Sequence, residues 1–138
     1  MKILQDFAIS VAAGAIGAQK KDVSDGIDDY DAGNPPRIIA GYSAIGWAAL
    51  IEAIMAAISG IMENCPQNNV EIRESIKNPS RGQKVKADRK IRNSVGGCAG
   101  FRWRRQASRV VDEVFTQAKT MSDKELDAAI AEACSETF

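Results

Sequence analysis

A chain of 138 residues, 45% of them apolar and 26% charged, holds enough material for one packed domain and too little for two comfortable ones. Its 18 basic and 18 acidic residues cancel, and it contains no histidine. That absence removes Ser-His-Asp and Cys-His nucleophiles, histidine general bases and nearly all catalytic zinc sites, leaving carboxylates, lysine, tyrosine or an oxygen-held metal for any chemistry.

Aromatic residues are few, and alanine and isoleucine carry much of the apolar content. This composition favours closely packed helices over a sheet sandwich, so the expected fold is all-α: a single domain over 1–138, a compact bundle of four to five helices around a long apolar central one. The first helix is expected from Ile3 to about Lys21, where Leu4, Phe7, Val11 and Ala15 recur at helical spacing with Ile16 beside them. The small-residue run Ala12-Ala13-Gly14-Ala15-Ile16-Gly17-Ala18 lets another backbone come close. Gln5, Asp6 and Ser10 interrupt the opening apolar stretch, which therefore does not read as a signal peptide.

Residues 22–37 read as an acidic loop, with Gly26, Gly33, Pro35 and Pro36 among five aspartates. An EF-hand alignment on Gly26 puts Lys21, Val23 and Ala32 at ligand positions, so the calcium motif fails. Asp28, Asp29 and Asp31 are read as a solvated acidic run rather than paired catalytic carboxylates.

The stretch 38–62 is expected to form the central apolar helix, long enough in principle to span a bilayer. On a helical wheel Trp47, Leu50, Ile51, Ile54, Ile58 and Ile61 gather on one side. Gly41, Ala48, Glu52, Ala56 and Ser59 fall on the other, and this small-residue face is expected to be the helix-packing interface. A carboxylate at position 52 argues against a simple membrane span.

Asn64 to Asn69, with Pro66, breaks the chain, Val70 to Lys77 suits a short helix, and Asn78-Pro79-Ser80-Arg81-Gly82 reads as a turn. A basic, partly mobile arm is expected over 73–100. In it Gln83 to Val95 is helical, with Val85, Ala87 and Ile91 as its apolar anchors, and Gly96-Gly97-Cys98-Ala99-Gly100 is a flexible joint. C-terminal helices should fill 101–138. The core stripe of the first comprises Trp103, Ala107, Val110, Val111, Val114, Phe115 and Ala118. Its basic front turn runs against the helix dipole, which suggests that its arginines answer something outside the helix. Ser122-Asp123-Lys124-Glu125 is a capping box for the last helix, whose Leu126, Ala129, Ile130 and Ala133 face inward.

The charges fall in blocks. Residues 1–72 are mostly acidic, 73–109 are strongly basic, and the remainder is acidic again. The basic block suits either phosphate or an acidic protein block, within one chain or between copies. Its candidate contact residues are Lys84, Lys86, Arg89, Lys90, Arg92, Arg102, Arg104 and Arg105. Between Cys98 and Arg104 lie five residues, the spacing of the phosphate-cradling loops of cysteine phosphatases, but Arg105 stands where those loops carry a hydroxyl residue. The segment is therefore read as a small residue at a glycine joint leading into a basic helix. Cys65, Cys98 and Cys134 form no CxxC pair and read as free thiols of a reducing compartment.

No Walker, Rossmann, HExxH or GxSxG motif occurs, and no catalytic, cofactor or metal site is expected. The expected function is that of a non-enzymatic structural or assembly protein, working by helix packing and opposed charge blocks. It would associate with itself or a protein partner and take no small-molecule substrate. The alternatives are a nucleic-acid-binding or host-inhibiting factor acting through 73–109, and a membrane-active protein using 38–62. In texture, with an Ala/Gly-rich first helix, a long apolar helix and a basic arm, the chain resembles small structural or accessory proteins of bacteriophages, without a shared motif. A cytoplasmic or intravirion location, not a secreted one, goes with that reading.

Overall fold

The computed structural model describes residues 2–34, 38–61, 69–94 and 97–135, with the side chains of 2, 59–61, 69–72, 97–102 and 133–135 set aside. Among the described residues the fold is all-α apart from one two-stranded hairpin. Seven helices occur: α1 (Lys2–Ile16), α2 (Lys20–Asp31), α3 (Ala44–Ile61), α4 (Asn69–Lys77), α5 (Arg81–Ser94), α6 (Gly97–Thr120) and α7 (Asp123–Ser135). The hairpin strands are β1 (Ile38–Ile39) and β2 (Tyr42–Ser43).

The first helix ends with its apolar stripe at Ile16, short of the expected end at about Lys21. Gly17 takes a φ of 83°, and the N–H groups of Gly17 and Ala18 both donate to the Ala13 carbonyl, closing α1 with a left-handed cap that glycine tolerates best. The chain then turns into α2, so the acidic loop expected over 22–37 is for the most part a helix. Aspartate is a poor helix former, but Val23, Gly26 and Ile27 share one face and are buried. That burial outweighs propensity, and the Ile39 side chain packs where a Gly26 Cβ would stand.

The expected helix over 38–62 is shorter and starts at Ala44. Before it, Ile38 pairs with Ser43 and Ile39 with Tyr42 across the turn residues Ala40 (φ 51°) and Gly41 (φ 84°), the left-handed pair of a type I′ hairpin. Ser43 then caps α3, its Oγ accepting from the Gly46 N–H at 3.3 Å. No helix among the described residues is long and apolar enough to cross a membrane.

Aromatic residues tie the hairpin to the bundle. Trp47 Nε1 donates to the Ile39 carbonyl at 2.9 Å, and Trp103 Nε1, from α6, donates to the Gly46 carbonyl at 2.8 Å. Tyr42 stacks on Trp103 with centroids 3.7 Å apart, and both rings meet Trp47 edge-on. Both indoles are fully buried, yet each polar N–H is satisfied, so neither carries the penalty of an unpaired donor.

Helices α1, α3, α5 and α6 close a four-membered ring in that order, each packing on the next and α6 returning to α1. Helix α2 lies across the α1–α3 edge, while α7 covers α1 and α3 and holds α4 against α6. The oily side of α3 faces this core through Trp47, Leu50, Ile51, Ile54 and Ile58.

The small-residue side expected to be the packing interface is not what seats α3 within the chain. Gly41 is in the hairpin turn and exposed, Glu52 is exposed, Ala48 and Ala56 are half-buried, and the Ser59 side chain lies outside the described residues. The reason is area: the wide aliphatic side removes far more apolar surface from water than the narrow alanine side.

The basic arm is likewise docked rather than mobile where it is described. Ser80 and Gln83 form a reciprocal capping box, Gln83 N–H to Ser80 Oγ at 3.2 Å and Ser80 N–H to Gln83 Oε1 at 2.8 Å, which starts α5 inside the expected turn. Ala87 and Ile91 are buried where α5 packs on α3 and α6, whereas Val85, the third expected anchor, is half exposed. The expected glycine joint is also mostly helix, since α6 begins at Gly97. Arg104 and Arg105 therefore stand two turns inside α6, and the argument from its dipole falls away.

Candidate electropositive interface

The basic block divides in two. Arg73 and Lys77, on α4, turn toward the acidic end of the chain. Arg73 reaches Asp123 at 3.0 Å and Asp127 at 3.2 Å, and Lys77 reaches Asp123 at 2.9 Å. The Arg73 Nε–Asp127 contact lacks hydrogen-bond alignment, so both buried atoms are satisfied by charge alone. The hydrogen bond from Lys77, its charge and the charge of Arg73 hold the Asp123 carboxyl below its ordinary range. One of the two readings of the charge blocks, docking of basic on acidic segments within one chain, is realised here.

Helix α7 commits another carboxylate to α1. Glu132 accepts from the backbone N–H groups of Leu4 at 2.8 Å and Ile3 at 3.3 Å, capping the first turn of α1. Burial pushes the Glu132 carboxyl up, the two N–H groups pull it down, and the net shift is downward.

The remaining cations of the block lie on the exposed sides of α5 and α6. Lys84, Lys86, Arg89, Lys90 and Arg92 are exposed on α5, and Arg104 and Arg105 are exposed on α6. The Arg102 side chain lies outside the described residues, as does that of Cys98, so the cysteine-phosphatase spacing has no described geometry. Arg92 is tied to Asp88 one turn back, and Ser108 of α6 donates to Asp88 Oδ2 at 3.3 Å, stitching the two helices together.

The fold adds two residues that the sequence reading left out of the candidate set. Arg81, in the first turn of α5, and Arg109, on α6, are exposed as well. Helical spacing contains this signal: Arg81, Val85 and Arg89 succeed one another at four-residue steps, as do Arg105 and Arg109. Arg81, Lys84, Arg89, Lys90, Arg104 and Arg109 have no carboxylate partner among the described residues.

No group of cysteines and carboxylates among the described residues could hold a metal ion. The apolar space between Leu4, Phe7, Ile58, Ile76 and Leu126 amounts to about 10 Å³, room for roughly one water and lined by carbon alone. Chemically, this region offers cations on two neighbouring helices able to meet clustered negative charge. No protein-family model matches the chain, and no curated protein or solved structure shows detectable similarity to it.

Proposed function

We propose that the protein is a non-enzymatic interaction component, of a structural or assembly kind, that engages an acidic partner surface through the α5–α6 face. The observation that carries this reading is that Arg81, Lys84, Arg89, Lys90 and Arg104 have no carboxylate partner among the described residues, while Arg73 and Lys77 of the same basic block are consumed internally. Burial of Ala87 and Ile91 fixes the backbone beneath them, so the surface is ordered before it meets a partner. The absence of net charge favours a protein partner over nucleic acid, because dedicated nucleic-acid binders are more often basic overall. A component of a phage particle or another large assembly, working inside a cell or virion, fits such a use.

The test is a titration of labelled polyglutamate and of a labelled DNA duplex with the wild type and with the double variant Arg81→Glu/Arg89→Glu. Binding of polyglutamate at low salt, abolished in the variant, is the expected outcome. Duplex bound more tightly than polyglutamate, with a steep salt slope, would move the reading to nucleic acid. No binding of either probe at low salt would refute it.

A further inference from the structure

From the placement of charge around the helical ring, we infer that the α5–α6 face receives a second copy of this chain, docked through its α2, so that copies join head to tail. The inference rests on the proposed role of α5–α6 and names its partner.

The ring order puts α1–α3 and α5–α6 on opposite edges, and α2 lies on the α1–α3 edge. The acidic helix and the basic pair therefore occupy opposite sides of one molecule. On α2, Asp22, Asp28 and Asp31 are exposed with no cationic partner among the described residues, against Lys21; Lys20 is already paired with Asp6 at 2.9 Å. Of the C-terminal acids, Asp123, Asp127 and Glu132 are engaged within the chain, and the exposed Asp112 and Glu125 are spread over two helices, α6 and α7.

Each face also carries a large exposed apolar side chain. Tyr30 stands at the end of α2, 40% exposed, and Val85 on α5 is 50% exposed with Arg81 and Arg89 one turn to either side. An apolar contact rimmed by opposite charges is the ordinary anatomy of a protein interface. Zero net charge removes the long-range repulsion between copies that would oppose it.

Complementary patches on opposite sides cannot satisfy one another in a two-fold dimer. Their pairing is heterologous, and it continues as an open chain unless its rotation closes a ring.

The experiment is sedimentation of the full chain over a concentration series at about 0.05 M and about 0.5 M salt, where screening differs severalfold. Two charge-reversed variants accompany it: Asp28→Lys/Asp31→Lys and Arg81→Glu/Arg89→Glu. The first places both new charges in the last turn of α2, and Arg81→Glu places one in the first turn of α5, where the dipole favours them; far-UV circular dichroism checks that each variant folds.

The wild type is expected to grow past the mass of a dimer at low salt and to shrink at high salt. Each variant alone should remain monomeric, and an equimolar mixture of the two should recover association, because each reversed face then meets its complement. A wild type that stays monomeric, or stops at a dimer, overturns the inference. An Asp28→Lys/Asp31→Lys variant that associates as the wild type does also overturns it. In any of these cases the broader reading of the basic face stands or falls separately, on whether Arg81→Glu/Arg89→Glu abolishes polyglutamate binding.

Discussion

Replacing Ile91 with alanine tests whether the basic surface is a built platform or an arm. Ile91 is fully buried where α5 packs on its ring neighbours α3 and α6, and the only other buried side chain of that helix is the small Ala87. Deleting a buried isoleucine down to alanine costs about 2–5 kcal/mol, the spread reflecting how far the site collapses. Helix α5 has few other apolar contacts, so the loss should fall first on its own docking. Against a total stability on the order of 7–20 kcal/mol for a chain of this length, the bundle should survive. Native-state hydrogen exchange over Arg81–Ser94 reads the effect directly: a loss of about 2 kcal/mol corresponds to roughly 25-fold less protection. The control is Val85→Ala, at a half-exposed position, with an expected change within about 0.5 kcal/mol. Equal protection of α5 in the two variants would refute the docking argument and restore the mobile arm expected from sequence.

The packing and the electrostatics set three further outcomes. Trp103→Phe removes the hydrogen bond to the Gly46 carbonyl and part of the stack on Tyr42, and should lower stability by about 1–3 kcal/mol in urea; a change under about 0.5 kcal/mol would contradict the tie between hairpin and bundle. Ala40→Asn replaces a non-glycine residue held at a φ of 51° with one that tolerates it, creating the favoured Asn-Gly turn. The melting temperature should rise, by the equivalent of about 1 kcal/mol; a fall would argue against the type I′ turn. Asp123 and Glu132 both have folded pKa values below their unfolded ones, so the stability they contribute is complete above the unfolded values and is lost as pH falls through the folded ones. Glu132→Gln should therefore be destabilised at neutral pH, with the gap to the wild type closing through the acid range below ordinary carboxylate values. A gap that is constant across that range refutes the capping role of Glu132.

Sequence alone determined the helical class, the core stripe of α6 from Trp103 to Ala118, the cap at Ser122 and the basic character of 73–109. Each of these depends on residues within a few turns of one another. Their helical periodicity or reciprocal capping is therefore written in a single local window. Tertiary structure decided what local pattern leaves degenerate. The aspartates of α2 are poor helix formers, and only burial of Val23 and Ile27 makes that segment helical. Residues 38–43 are apolar enough for either a helix or a strand, and the indole of Trp47 reaching the Ile39 carbonyl favours the hairpin. The division of the basic block was also invisible along the chain, because Arg73 meets Asp123 only once α4 is held against α7. The same holds for the opposition of α2 to α5–α6. A charge block has a sign in the sequence, but it acquires a side of the molecule only when long-range burial of apolar surface closes the ring.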